Sequence, residues 1–221
     1  MGPEATADLY LRIIRIFQQK FGAKYDDDFP DILIYNLPLP DVVKNSNEQD
    51  IVRDSLIYGV KQLENAGVDF IAIPCNTVTL YLKEVQEAVK VPLINIVEES
   101  AKEAKKLGVK CVGIIGTQST IKSKIYENGF AKIDPNITVL TANQKEQKLI
   151  TPILMNILVG NKTKEDTKTL LAIIENIKQS GANRIVLGCT EIPLLIKDSD
   201  STIDTLDVLA KAVVRESMKW R

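Results

Sequence analysis

The chain has 221 residues, with 28 Lys+Arg against 29 Asp+Glu, three cysteines and no histidine. Without imidazole there is no Ser-His-Asp triad, no Cys-His pair and no His-ligated zinc or haem. Acid–base chemistry near neutral pH then falls to Cys, Lys, Tyr or a carboxyl with a shifted pKa. A net charge of −1 with interspersed signs argues against nucleic acid or an anionic membrane as partner.

No apolar run approaches the ~20 residues of a transmembrane helix. Met1-Gly2-Pro3-Glu4 lacks the basic and apolar regions of a signal peptide. Cys75, Cys111 and Cys189 lie far apart and form no CxxC, so the sequence reads as a cytoplasmic protein with reduced thiols.

In chain order, Pro3 and Glu4 suit a first helical turn, and helical spacing continues from Ala5 to Phe21 with no strand before it. The acidic run Asp26-Asp27-Asp28 reads as a solvated loop. Short β-branched runs predict buried strands at 32–35, 70–73, 92–95, 111–115, 137–140 and 184–187. Amphipathic stripes lie between them: Leu56, Val60 and Leu63 with Ile57, and later Leu170, Ile173, Ile174 and Ile177. Gly67, Gly108 and Gly181 each end a predicted helix just before a strand, where a left-handed residue is useful. Ser119-Thr120 after Gly116-Thr117, and Thr190-Glu191 after Cys189, mark helix starts. Alternating strands and helices with short connections predict an α/β fold, a parallel sheet covered on both faces.

One pattern occurs twice, about half a chain length apart. Ile71-Ala72-Ile73-Pro74-Cys75-Asn76-Thr77 and Ile185-Val186-Leu187-Gly188-Cys189-Thr190-Glu191 share one layout: an apolar strand, Pro or Gly, a cysteine, then polar residues opening a helix. Two similar lobes are implied, each presenting a cysteine at the C-terminal end of a strand, the edge where open α/β sheets bind ligands. A cysteine before a helix start should have a lowered pKa. Cys111 opens a strand with no polar follower and reads as packing. Two opposed thiols, one ionised, could remove a proton from one face of a carbon and deliver one to the other, inverting a stereocentre without a cofactor. Polar turns at Asn76-Thr77, Thr117 to Thr120 and Thr190-Glu191 would bind a small acid and stabilise charge developing on its carboxylate.

Met1-Gly2-Pro3-Glu4-Ala5-Thr6, Cys75-Asn76-Thr77 and Gly188-Cys189-Thr190-Glu191 together resemble the aspartate/glutamate racemase family, nearest its aspartate racemase branch. The resemblance implies two Rossmann-like lobes related by pseudo-symmetry, with parallel sheets flanked by helices and the active site between them. The lobes would comprise 1–96 plus 204–221, and 97–203. It implies racemisation without a cofactor or metal, a small amino acid or dicarboxylate as substrate, and a homodimer. By position, Cys75 and Cys189 would be the acid/base pair. Met1, Gly2, Asn76, Thr77, Thr117, Thr120 and Thr190 would hold the substrate, with Glu191 orienting or polarising beside Cys189. Three departures stand out. The family usually carries an apolar strand ahead of Met-Gly-Pro, whereas this sequence opens at the Met, so either the natural start lies upstream or that strand is absent. Pro40-Asp41-Val42-Val43 carries Val42 where aspartate racemases have an arginine for the side-chain carboxylate, so Arg53 or Lys44 would have to replace it, and Leu158 stands where a lysine assists. Thr79 stands where this branch often has histidine. A related isomerase or decarboxylase acting on a small dicarboxylate, and a non-catalytic protein that binds a small acid, are the alternatives.

Overall fold

The computed structural model describes residues 2–40, 49–196 and 200–220; Met1, Asp41, Val42, Val43 and Lys44 lie outside the described residues. Helix α1 (Pro3–Phe21) opens on proline, whose fixed φ suits the first turn, and closes at Gly22 in the left-handed region. It buries Ala5, Leu9, Ile13 and Phe17, a strict i, i+4 stripe. Helix α2 (Gln49–Asn65) buries Val52, Leu56, Gly59 and Val60. Strands β1 (Ile71–Ala72) and β2 (Leu93–Ile94) pair in parallel, with α3 (Leu82–Glu87) between them in sequence. Asn95 then caps α4 (Ile96–Lys106), its side chain accepting from the N–H groups of Val97 and Glu98.

The second half holds a four-stranded parallel sheet. Its strands are β3 (Cys111–Gly116), β4 (Thr138–Thr141), β5 (Arg184–Gly188) and β6 (Thr202–Asp204), in the order β4-β3-β5-β6. The helices are α5 (Gln118–Lys122), α6 (Ile125–Ile133), α7 (Gln144–Leu158), α8 (Lys164–Gln179) and α9 (Thr205–Ser217). Alternating side chains of β3 and β5 feed two cores. Val112, Ile114 and Val186 pack with α1, α4, α6 and α9 on one face. Ile115, Ile185 and Leu187 pack with α7 and α8 on the other. Burial on both faces is why these strands read as unbroken apolar runs. A third cluster, including Leu37, Leu56, Ile71, Ile73 and Val85, fills the smaller half.

The α1 stripe belongs to the same core as Val112 and Leu209, so the first helix and the four-stranded sheet are packed together. Arg12 reinforces this contact: its Nη1 reaches Asp204 Oδ2 at 2.6 Å while Asp204 Oδ1 caps α9 through Leu206 N. Phe17 is fully buried, with its ring against Phe21 and Phe29. Phe17→Ala should lower unfolding stability by about 3–5 kcal/mol, read as a lower denaturant midpoint at unchanged slope.

Five of the six predicted strands form, each within a residue or two of its expected bounds. The one at 32–35 does not: this segment has no strand ladder, and Ile32, Leu33, Ile34 and Tyr35 are exposed. It faces Ile71, Ala72 and Ile73 across a cleft of about 1070 Å³. A β-branched run becomes a strand only when a neighbour lies near 4.8 Å to take its hydrogen bonds, and here a cavity intervenes. Strand β6 was not anticipated, because Thr202-Ile203-Asp204 holds one apolar residue; Asp204 as a helix cap was its available signal. No helix among the described residues is long and apolar enough to cross a membrane.

Candidate active site

The register of β3 on β5 sets Gly116 opposite Gly188, so Thr117 and Cys189 leave the sheet at the same edge. Both glycines are required by this close approach. A Cβ at Gly116 would sit 2.9 Å from the Gly188 carbonyl, and one at Gly188 would sit 3.0 Å from Ile115 O and from the Tyr126 ring. From the other sheet, β1 leads through Ile73-Pro74 to Cys75. The two turns meet directly: Thr190 Oγ1 lies 3.2 Å from Pro74 O and 3.1 Å from Glu191 Oε2, its one proton shared between two acceptors. Thus the residue after one cysteine touches the residue before the other.

Around this junction the polar side chains are buried and bonded to one another. Thr77, Thr117 and Thr120 form a triangle of hydroxyls with edges of 3.1, 3.1 and 2.9 Å, and Thr117 Oγ1 also caps α5 by accepting from Thr120 N. Three hydroxyls carry three protons and six lone pairs, so the cluster can turn protons toward an anion without backbone movement. Asn76 is buried between Tyr126, whose hydroxyl donates to its Oδ1 at 2.7 Å, and Thr205, which accepts from its Nδ2 at 3.1 Å. Glu191 Oε2 accepts from Cys189 Sγ at 3.0 Å, and its Oε1 faces Gly2 so closely that a Cβ there would collide with it. Of the sequence-derived candidates, all but Met1 are described, and Gly2, Cys75, Asn76, Thr77, Thr117, Thr120, Cys189, Thr190 and Glu191 converge here. Cys111 begins β3 and Gly116 ends it, leaving Cys111 about 17 Å down the strand.

The expected lowering of the cysteine pKa is not found. Burial pushes the Cys75 thiol up to about 11, with the Glu191 carboxylate adding to the rise and backbone N–H groups of Val78 and Thr77 opposing it. Burial, the charge of Glu191 and its hydrogen bond raise Cys189 well above the ordinary thiol range. The physical reason is local. Each cysteine is followed by a short 3-10 turn, Thr77–Tyr81 or Ile192–Leu194, rather than a long helix with a full dipole, and a carboxylate stands nearby. Both shifts favour the thiol over the thiolate.

Sequence reading missed Tyr126, Thr205 and Gln147. Gln147 Nε2 donates to Gly116 O at 3.0 Å while its buried Oε1 has no partner among the described residues. Each lies on an amphipathic helix where its polar atom gave no periodic signal. Arg53, one of two cations considered for a side-chain carboxylate, is held by Asp50 and Asp54 at 2.8 Å each.

Two turns of matched design, each at the end of a parallel strand, bring a thiol apiece to one junction lined with hydroxyls. Residues 1–213 match the Asp/Glu/Hydantoin racemase family. The chain belongs to that family of racemases. It is 32% identical to the broad specificity amino-acid racemase RacX of Bacillus subtilis, covering 100% of this chain and 96% of that one. An aspartate racemase homologue from Pyrococcus horikoshii OT3 superposes with a TM-score of 0.81 at 29% identity, covering 98% of this chain and 95% of the other. Picrophilus torridus aspartate racemase shares the fold, with a TM-score of 0.81 at 24% identity over 99% of this chain and 91% of its own.

Proposed function

We propose that this protein is a cofactor-independent amino-acid racemase in which Cys75 and Cys189 are the acid and base on opposite faces of the α-carbon. The observation that carries this reading is the Thr190–Pro74 contact, which ties the two cysteine turns into one site. The substrate carboxylate is held by Asn76, Thr77, Thr117, Thr120 and Thr190, whose donors stabilise the charge that develops when the α-proton leaves. Glu191 is the acceptor for the Cys189 proton: transfer to Oε2 leaves a thiolate and a protonated carboxyl. That thiolate removes the α-proton, the Cys75 thiol delivers its own to the opposite face, and the roles exchange in the reverse direction. Binding an ammonium group beside these sulfurs lowers the cost of the thiolate.

The same reading divides the chain into lobes 1–96 plus 204–221, and 97–203, and takes a homodimer as the assembly. Aspartate and glutamate are the first substrates to test. Because Arg53 is engaged by two aspartates, recognition through the α-carboxylate and ammonium, with a tolerant side-chain pocket, is the form we favour. Incubation with each L-amino acid in heavy water should yield the D-enantiomer carrying α-deuterium, followed by chiral chromatography and proton NMR. Absence of exchange with every proteinogenic amino acid defeats the proposal. A small-acid binding protein would show saturable binding without exchange.

A further inference from the structure

We propose that Tyr126 is a positioning residue that fixes both the orientation of the Asn76 amide and the spacing of the two cysteine turns; its effect on turnover rests on the racemase reading above. Three buried side chains and a backbone carbonyl form a hydrogen-bond chain with only one permitted direction. The Leu187 carbonyl can only accept, so the Thr205 hydroxyl donates to it at 2.9 Å. Thr205 Oγ1 must then receive its 3.1 Å bond from an N–H, which assigns the facing atom of Asn76 as Nδ2. The other end of that amide is Oδ1, and the Tyr126 hydroxyl donates to it at 2.7 Å. The chain runs Tyr126 to Asn76 to Thr205 to Leu187. It leaves the second Nδ2 proton of Asn76 as the donor available to a substrate.

The ring of Tyr126 performs the second task. It packs so closely on the residue before Cys189 that any side chain at Gly188 would meet its Cε2 at 3.0 Å. Its hydroxyl meanwhile holds the residue after Cys75. One rigid phenol therefore spans from the backbone ahead of one sulfur to the side chain behind the other. Its acidity reports the same location: burial above all holds the phenol well above its ordinary value, with Cys189 and Cys75 adding to the rise only when ionised, so it remains a donor. With Tyr126 only 1% exposed, its bond to Asn76 is expensive to break.

The test uses Tyr126→Phe, which keeps the ring and removes only the hydroxyl, with two readouts. In the first, hydrogen exchange of the Asn76 side-chain amide by nitrogen-15 NMR should quicken at least about tenfold, with backbone protection in α6 and β5 unchanged. In the second, kcat/KM should fall about 10–30-fold, mainly in kcat, and the loss should vanish in an Asn76→Ala background. Should Tyr126→Phe fold poorly by thermal melting, Thr205→Val cuts the same chain at its far end and must give the same two results. Unchanged Asn76 exchange overturns the proposal whatever the activity, and so does a Tyr126→Phe loss that multiplies independently with Asn76→Ala. Faster exchange in a wild-type background that racemises no amino acid supports the positioning role and removes the racemase reading instead.

Discussion

Cys75→Ala and Cys189→Ala are each expected to lower racemisation at least about 1,000-fold, with the fold intact. General acid–base catalysis contributes roughly 10²–10⁴-fold per positioned group, and a two-base inversion needs one group on each face. The chain has no histidine to substitute, and each alanine leaves one face without a proton carrier. The losses should differ in kind. A variant retaining one sulfur can still wash deuterium into the enantiomer whose α-proton faces that sulfur, without yielding the mirror form. Proton NMR in heavy water separates α-exchange from inversion, and chiral chromatography measures the inversion. Equal loss in Cys111→Ala would overturn the assignment, since that residue sits at the far end of β3 and is only half-buried against the second core.

Glu191→Gln should separate thiol acidity from turnover. Glu191 raises both cysteines, so neutralising it must move both downward. With the Cys75 thiol pushed up to about 11, little thiolate is expected near neutral pH. Iodoacetamide alkylation should accordingly be slow at neutral pH and climb until about pH 11. In Glu191→Gln the alkylation profile should shift to lower pH while racemisation falls about 100-fold, because the carboxylate proposed to take the Cys189 proton is gone. A profile that does not move would show that Glu191 sets neither thiol. Faster alkylation with undiminished racemisation would show that Glu191 tunes the sulfurs without taking a proton.

Much of this site was legible because it is written in local patterns. Cys75-Asn76-Thr77 and Gly188-Cys189-Thr190-Glu191 each follow an apolar strand, and parallel α/β architecture brings such ends to one edge. Thr117 and Thr120 were visible as a helix start, α1 as helical spacing from Ala5 to Phe21, and α8 as a periodic stripe that the structure buries residue for residue. Tyr126 and Thr205 were not legible. Their task depends on a single hydroxyl meeting Asn76, 50 residues away for Tyr126 and 129 for Thr205, and no period or motif encodes that meeting. The segment 32–35 failed for the opposite reason: its composition suits a strand, yet strand formation needs a partner at hydrogen-bonding distance, which composition does not specify.

The sequence by itself determined the class of fold, the paired cysteines and the restriction of proton chemistry to groups other than imidazole. Each of these follows from residue type or from spacing along the chain. Only the tertiary structure decided the charge state of those cysteines. A strand end before polar residues suggests a thiolate, but protonation depends on the dielectric and the charges that folding gathers around the sulfur. Here burial and the Glu191 carboxylate outweigh the few N–H groups of a short 3-10 turn, and both thiols are held above their ordinary range.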